Sequence, residues 1–170
     1  MIPALWSWPT RILHWGMAIA ITVDYFADGG DPLHNWSGYL ALGVVVIRFA
    51  WGFFAADEAN FRNFPLSPSL LIDHMKGFIV WKHKDYSGHN PLASWAYVFM
   101  WLLVVGLGIS GYLLGTDRFW GDETLDDAHE YMADSLLVLI AFHLAGIVID
   151  AFKFKRKTWM GMITGKRNSF

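Results

Sequence analysis

Four apolar stretches, at about residues 10–27, 35–56, 91–115 and 129–152, alternate with polar segments along the chain. Each is close to the ~20 residues that a helix rising 1.5 Å per residue needs to cross the hydrocarbon core of a bilayer. The pattern predicts an all-α integral membrane protein, an up-down four-helix bundle forming one domain over residues 1–170. The first stretch is the weakest, being short and holding Asp24 near its end, although Pro9 suits a helix's first turn. Residues 66–81 are too polar to span but have the make-up of a short amphipathic helix lying on the cytoplasmic surface; an ordinary loop is the alternative.

Composition supports a membrane class, with 55% hydrophobic and only 16% charged residues. The net charge of −2 says little, but its distribution says more. The first connection carries Asp28 and Asp31 and no Lys or Arg, and the segment from Thr116 to Asp127 has Arg118 as its only base. The other twelve of the 13 Lys and Arg lie toward the N-terminus, in or near residues 57–90, or in the C-terminal tail. The positive-inside rule therefore predicts both termini and the long connection to be cytoplasmic, which an even number of spans allows. Trp8, Trp36, Trp120 and Trp159 near span ends fit an interfacial aromatic belt. The first apolar run is followed by an acidic, Gly-rich turn, so no cleavable signal peptide is expected.

The absence of cysteine removes disulfides, thiolate zinc sites, iron–sulfur clusters and covalent haem attachment. Any metal must rest on His or carboxylate, and several of the seven His fall inside or beside apolar runs. His129 and His143 are fourteen residues apart on one predicted helix, within about 40° of one face and about 21 Å apart along the axis. The expected topology puts His14 at the depth of His143, toward the cytoplasm, and His34 at the depth of His129, toward the outside. Two bis-His sites stacked across the membrane follow, each suited to a non-covalent b-type haem. A lone His at a span end is more often a hydrogen-bonded residue than a ligand; four falling two per level is what favours ligation.

Gly16, Gly38 and Gly146 lie close to His14, His34 and His143, where a missing Cβ would let a porphyrin approach or simply let helices pack. Arg11, one turn before His14, and Arg48, on the face of His34 near the inner level, are candidate partners for haem propionates. Arg48 needs a counter-charge: a propionate, a quinone carbonyl or, more plainly, Asp150. His89 is a candidate for contact with the inner haem or a quinone, whereas His74 and His83 are expected to be solvated or interfacial. The run Gly106-Leu-Gly-Ile-Ser-Gly111 matches GxGxxG, but it has no preceding strand or following ribose acid and is expected to be a small-residue helix face.

Several motifs together resemble the bacterial cytochrome b561 family, which includes the b-type cytochrome subunits of nickel–iron hydrogenases. They are Trp6-Ser-Trp-Pro-Thr-Arg-Ile-Leu-His-Trp15, His34 with Gly38 and Tyr39, Arg48 with Trp51-Gly-Phe, Gly88-His-Asn-Pro-Leu, His129-Glu130, His143 and Met162-Ile-Thr-Gly-Lys-Arg. Ser7 stands where an acidic residue is expected in stand-alone members. The resemblance implies a two-haem membrane cytochrome with the same four ligands, exchanging electrons with a quinone pool and a partner protein such as a periplasmic c-type cytochrome or a hydrogenase-like enzyme.

The expected function is thus electron transfer across a bacterial inner membrane, with lipid, quinone and a redox protein as partners and no nucleic acid. The short acidic outer loops favour a partner with a basic docking face. A stand-alone oxidoreductase acting on a quinone or superoxide, with Arg48 or Lys84 steering an anion, is the main competitor. A metal transporter using intramembrane His and Asp is the other, disfavoured because the carboxylates cluster at the outer ends.

Overall fold

The computed structural model describes residues 5–86 and 88–166. Six α-helices follow one another: α1 (Trp8–Phe26), α2 (Pro32–Phe54), α3 (Pro68–Ile79), α4 (Pro91–Leu114), α5 (Glu123–Phe154) and α6 (Gly161–Thr164), with 3-10 turns at Phe61–Asn63 and Thr158–Met160. Among the described residues no β-strand element forms, as the all-α expectation requires. Pro opens the first turn of α1, α2, α3 and α4, where its missing N–H loses no helical bond. Side chains of Asp31, Asn90 and Asp122 accept hydrogen bonds from the N–H groups of Leu33, Ala93 and Leu125, satisfying donors that a helix start leaves free.

Helices α2, α4 and α5 are each long and apolar enough to cross a membrane. Helix α1 has 19 residues but falls short in apolarity, because Arg11, His14 and Asp24 lie within it. Three of the four expected spans are therefore met by composition, and the fourth is a long helix packed along α2. Helix α5 also starts earlier than its apolar stretch, since Asp122 caps it and Glu123 and Asp126 complement the positive end of its dipole.

Packing runs α1 on α2, α2 on α4 and α4 on α5. These neighbours are antiparallel: His34 at the start of α2 meets Asp24 at the end of α1, and His129 at the start of α5 meets Ser110 near the end of α4. A Cβ on Gly106 would stand 2.7 Å from Met132 Sδ, and one on Gly108 would stand 2.9 Å from a Leu42 methyl. The GxGxxG run is thus a close-packed helix face. At mid-height Ala20, Ala41, Val45, Val104 and Leu136 draw the four long helices into one core. Helix α5 makes little other close backbone approach to α1 or α2. Room is left on both sides of the core, at an upper level near His34 and His129 and a lower level near the described chain ends.

The lower end is tied by the connection from α2 to α3. Asp57 accepts from the Ser7 N–H at 2.6 Å and the Thr10 hydroxyl at 3.0 Å, so a carboxylate from another element sits against Ser7. Burial pushes the Asp57 carboxyl up, and these bonds with that of the Ala59 N–H outweigh it and hold the group below its ordinary value. Phe61 packs onto Gly52, where an added Cβ would run into its ring. Gly52→Ala is expected to cost about 1–3 kcal/mol through overpacking. Denaturant unfolding measures this, and an unchanged midpoint would show that the Phe61 turn is free to shift.

Residues 68–79 of the expected amphipathic segment are helical and pack on α4. His74, expected to be solvated or interfacial, is not solvated: the residue is 5% exposed, because it is the inward face of α3, turned onto His83 and Tyr86. Lys153 at the end of α5 donates to His83 Nδ1 at 2.9 Å and to the carbonyls of His83 and Trp81 at 3.0 Å. Burial, then the neighbouring His83 and Lys153, lowers His74 below the ordinary 6.5; burial and Lys153 lower His83, with Asp150 opposing. Both imidazoles are therefore neutral when docked, and undocked imidazoles bind more protons below about pH 6.5. Docking of α3 is expected to weaken as pH falls below that value. Amide exchange in α3 that stays constant from pH 7.5 to 5, after correction for intrinsic rates, would contradict this.

Candidate functional site

The four histidines singled out by spacing come together in two pairs. His14 of α1 faces His143 of α5 with ring centroids 6.4 Å apart, and His34 of α2 faces His129 of α5 with centroids 6.2 Å apart. These separations are too long for a direct hydrogen bond. With about 2.0–2.1 Å from metal to nitrogen and about 1.2 Å from nitrogen to ring centroid, imidazoles on opposite sides of a metal would have centroids about 6.4–6.6 Å apart, which the lower pair meets and the upper pair approaches.

His14 of the lower pair lines one cavity, and both rings of the upper pair line another. The lower one, about 440 Å³, is lined by His14, Arg48, His89, Tyr97 and Trp101 among others. The upper, about 480 Å³, is lined by His34, Gly38, Gly108, Gly111 and His129 among others. Both spaces open to the surroundings, and their walls are mostly apolar with a few placed polar groups. In the upper pair the protein holds Nδ1 of both rings. His34 Nδ1 donates to the Asp24 carbonyl at 3.1 Å. His129 Nδ1 donates to Ser110 Oγ at 2.7 Å, and that hydroxyl donates in turn to the Leu107 carbonyl at 3.2 Å. This fixes the tautomer that leaves Nε2 unprotonated for a metal, the arrangement by which proteins orient ligating histidines.

Arg48 lines the lower cavity inside α2. One of its nitrogens, Nη2, donates to the Ala59 carbonyl at 2.9 Å, and the guanidinium lies among Phe61, Phe64 and Trp101 at 5.3–6.0 Å from the ring centroids. Its Nη1 is buried without a partner. Asp150 is not its counter-charge, because Arg156 holds that carboxylate at 2.7–2.8 Å and Thr158 donates to it at 2.6 Å. A buried orphan donor beside the cavity is what a carboxylate-bearing cofactor such as haem would satisfy. Arg11 sits at the edge, donating to the Ile163 carbonyl at 3.0 Å with Nε unpartnered.

His89 is buried among Trp6, Phe64 and Tyr97, with ring centroids 4.4–4.8 Å away. Burial first, then Arg48 and His143, pushes it down to about 3, so it is neutral. It hydrogen-bonds the Glu58 backbone while Nδ1 has no partner, which places a bare acceptor at the lower cavity. Of the three glycines picked out near ligands, Gly38 lines the upper cavity, but an added Cβ on Gly16 would be in ordinary contact with Val44 and one on Gly146 would meet nothing within 4 Å. Gly111 is the closer case: its Cβ would come 3.3 Å from His129 Cε1. Arg167 of the closing motif lies outside the described residues.

A family model described as prokaryotic cytochrome b561 matches residues 5–165. The chain belongs to that family. Its members bind b-type haem and transfer electrons in membranes, and the apolar helices of this cytochrome suit a multi-pass membrane protein. No curated protein and no solved structure matches the chain.

Sequence reasoning missed Asp24 and Ser110 as partners of the histidine rings. Asp24 is a carboxylate inside an apolar run, a signal in itself, but it counted only against the first span. Ser110 lay inside the dismissed GxGxxG pattern.

Proposed function

We propose that this cytochrome is a four-helix membrane bundle holding two b-type haems, one between His14 and His143 and one between His34 and His129. Its role is to carry electrons across the bacterial inner membrane between a quinone pool and a partner redox protein. The observation that carries the reading is the spacing of the two pairs at an iron-bridging distance on either side of one core. Bound haem supplies one-electron exchange at iron. The chain's own residues do the rest: paired imidazoles fix each site, the apolar walls exclude water, and Arg48 offers Nη1 to a propionate. Arg11 is a second basic partner at the same end. The levels lie about 21 Å apart along α5, so together they reach across most of a hydrocarbon core of about 30 Å.

The charge asymmetry of the connections supports cytoplasmic termini, with the lower pair toward the cytoplasm. A quinone site is proposed at the lower end, where the bare Nδ1 of His89 would accept from the hydroxyl of the reduced form. A c-type cytochrome or hydrogenase-like protein with a basic face is proposed at the acidic upper loops. Haem-loaded protein in sealed vesicles tests the function, with ferricyanide trapped inside and dithionite outside. Reduction of the trapped oxidant faster than in protein-free vesicles is expected, and an equal rate would sink the proposal.

A further inference from the structure

The two histidine pairs are held differently, and the geometry points to Asp24 as the residue that makes the upper site harder to reduce than the lower. This inference rests on the two-haem reading above. One oxygen of the Asp24 carboxylate lies 3.5 Å from His34 Nδ1, the nitrogen that donates to the Asp24 backbone carbonyl. The carboxylate is fixed by the Ser37 hydroxyl, which donates to it at 2.8 Å. Opposite, His129 donates Nδ1–H to Ser110, whose own proton is engaged by Leu107. An imidazole that donates from Nδ1 is a more basic ligand through its other nitrogen. A nearby carboxylate adds negative potential that favours the more positive, oxidised iron.

The lower pair has neither feature. Among the described residues His14 and His143 make ring contacts but no side-chain hydrogen bond. The charged side chain lining their cavity is the cation Arg48, with one nitrogen unpartnered. A cation favours the reduced iron. Ligand basicity and local charge therefore act in the same direction, and Asp24 is a positioning and tuning residue acting through His34. The balance is one electron: the upper site is oxidised from ferrous to ferric as the lower is reduced from ferric to ferrous. No proton need move. Downhill flow then runs from the upper end toward the end carrying the described chain termini.

Potentiometric titration of the haem-loaded chain at fixed pH tests this. The wild type should give two one-electron waves, and His143→Ala should keep only the one of lower potential. Asp24→Asn keeps the side-chain shape and removes the charge; it should raise the low-potential wave of the upper site by on the order of tenfold in reduction equilibrium, 59 mV for one electron, and leave the high-potential wave nearly still. Ser110→Ala should move the same wave in the same direction, and it decides the matter if Asp24→Asn does not load haem. An unmoved low-potential wave in a variant with both haems would overturn the role of Asp24 alone. Retention of the high-potential wave in His143→Ala would reverse the ordering. A wild type with one haem would overturn the underlying reading instead.

Discussion

Replacing His143 by Ala is expected to cut the haem content of the purified chain from two per polypeptide to one, with the upper haem retained. His143 contributes one ring of the lower pair and nothing to the upper, whose ligands are about 21 Å away along α5. Without it, His14 faces an open coordination position, and Arg48 keeps a buried donor with no carboxylate to meet it. Loss of a ligand held at a hundredfold above its Kd also removes about 2.7 kcal/mol of stabilisation from the fold. The measurement is haem per chain by pyridine haemochrome, together with the thermal midpoint. Equal loss of both haems would contradict the pairing by level.

The converse substitution is expected at Gly111. A Cβ there already stands 3.3 Å from His129 Cε1 and borders the upper cavity. Gly111→Leu would place a branched apolar side chain beside His129 into a space whose walls are largely apolar, so the helix should still form while that space is blocked. The upper haem should be lost and the lower kept, the mirror image of His143→Ala. Full retention of both haems in Gly111→Leu would show that the cavity beside His129 is not a cofactor slot.

How much of this was legible in the chain differs by level of organisation. The four histidines and their pairing followed from a fourteen-residue spacing and alternating topology, because a helix turns and rises at fixed rates. Helix starts were legible only in part: Pro9 marked the first turn of α1, whereas α5 begins at Glu123, ahead of its apolar stretch. The weakness of the first span was legible, since Asp24 marked it, and Arg11 and His14 lower its average further. The burial of His74 was not legible, as it depends on α3 folding against α4 and on Lys153 arriving from the far end of α5. Asp24 and Ser110 escaped for the same reason. Their partners sit 10 and 19 residues on, across a turn whose geometry no local pattern specifies. Asp150, one of three counter-charges considered for Arg48, is held instead by Arg156, six residues along.

The central claim is that imidazoles oppose each other across iron at two separate levels. Low-temperature electron paramagnetic resonance of the oxidised, haem-loaded chain tests it most directly. Two low-spin ferric signals, each integrating to one iron per chain, are predicted, because on the proposed reading a pair of histidines would hold the iron at each level. A high-spin signal from five-coordinate iron, or a single low-spin species accounting for all the haem at one per chain, would contradict it.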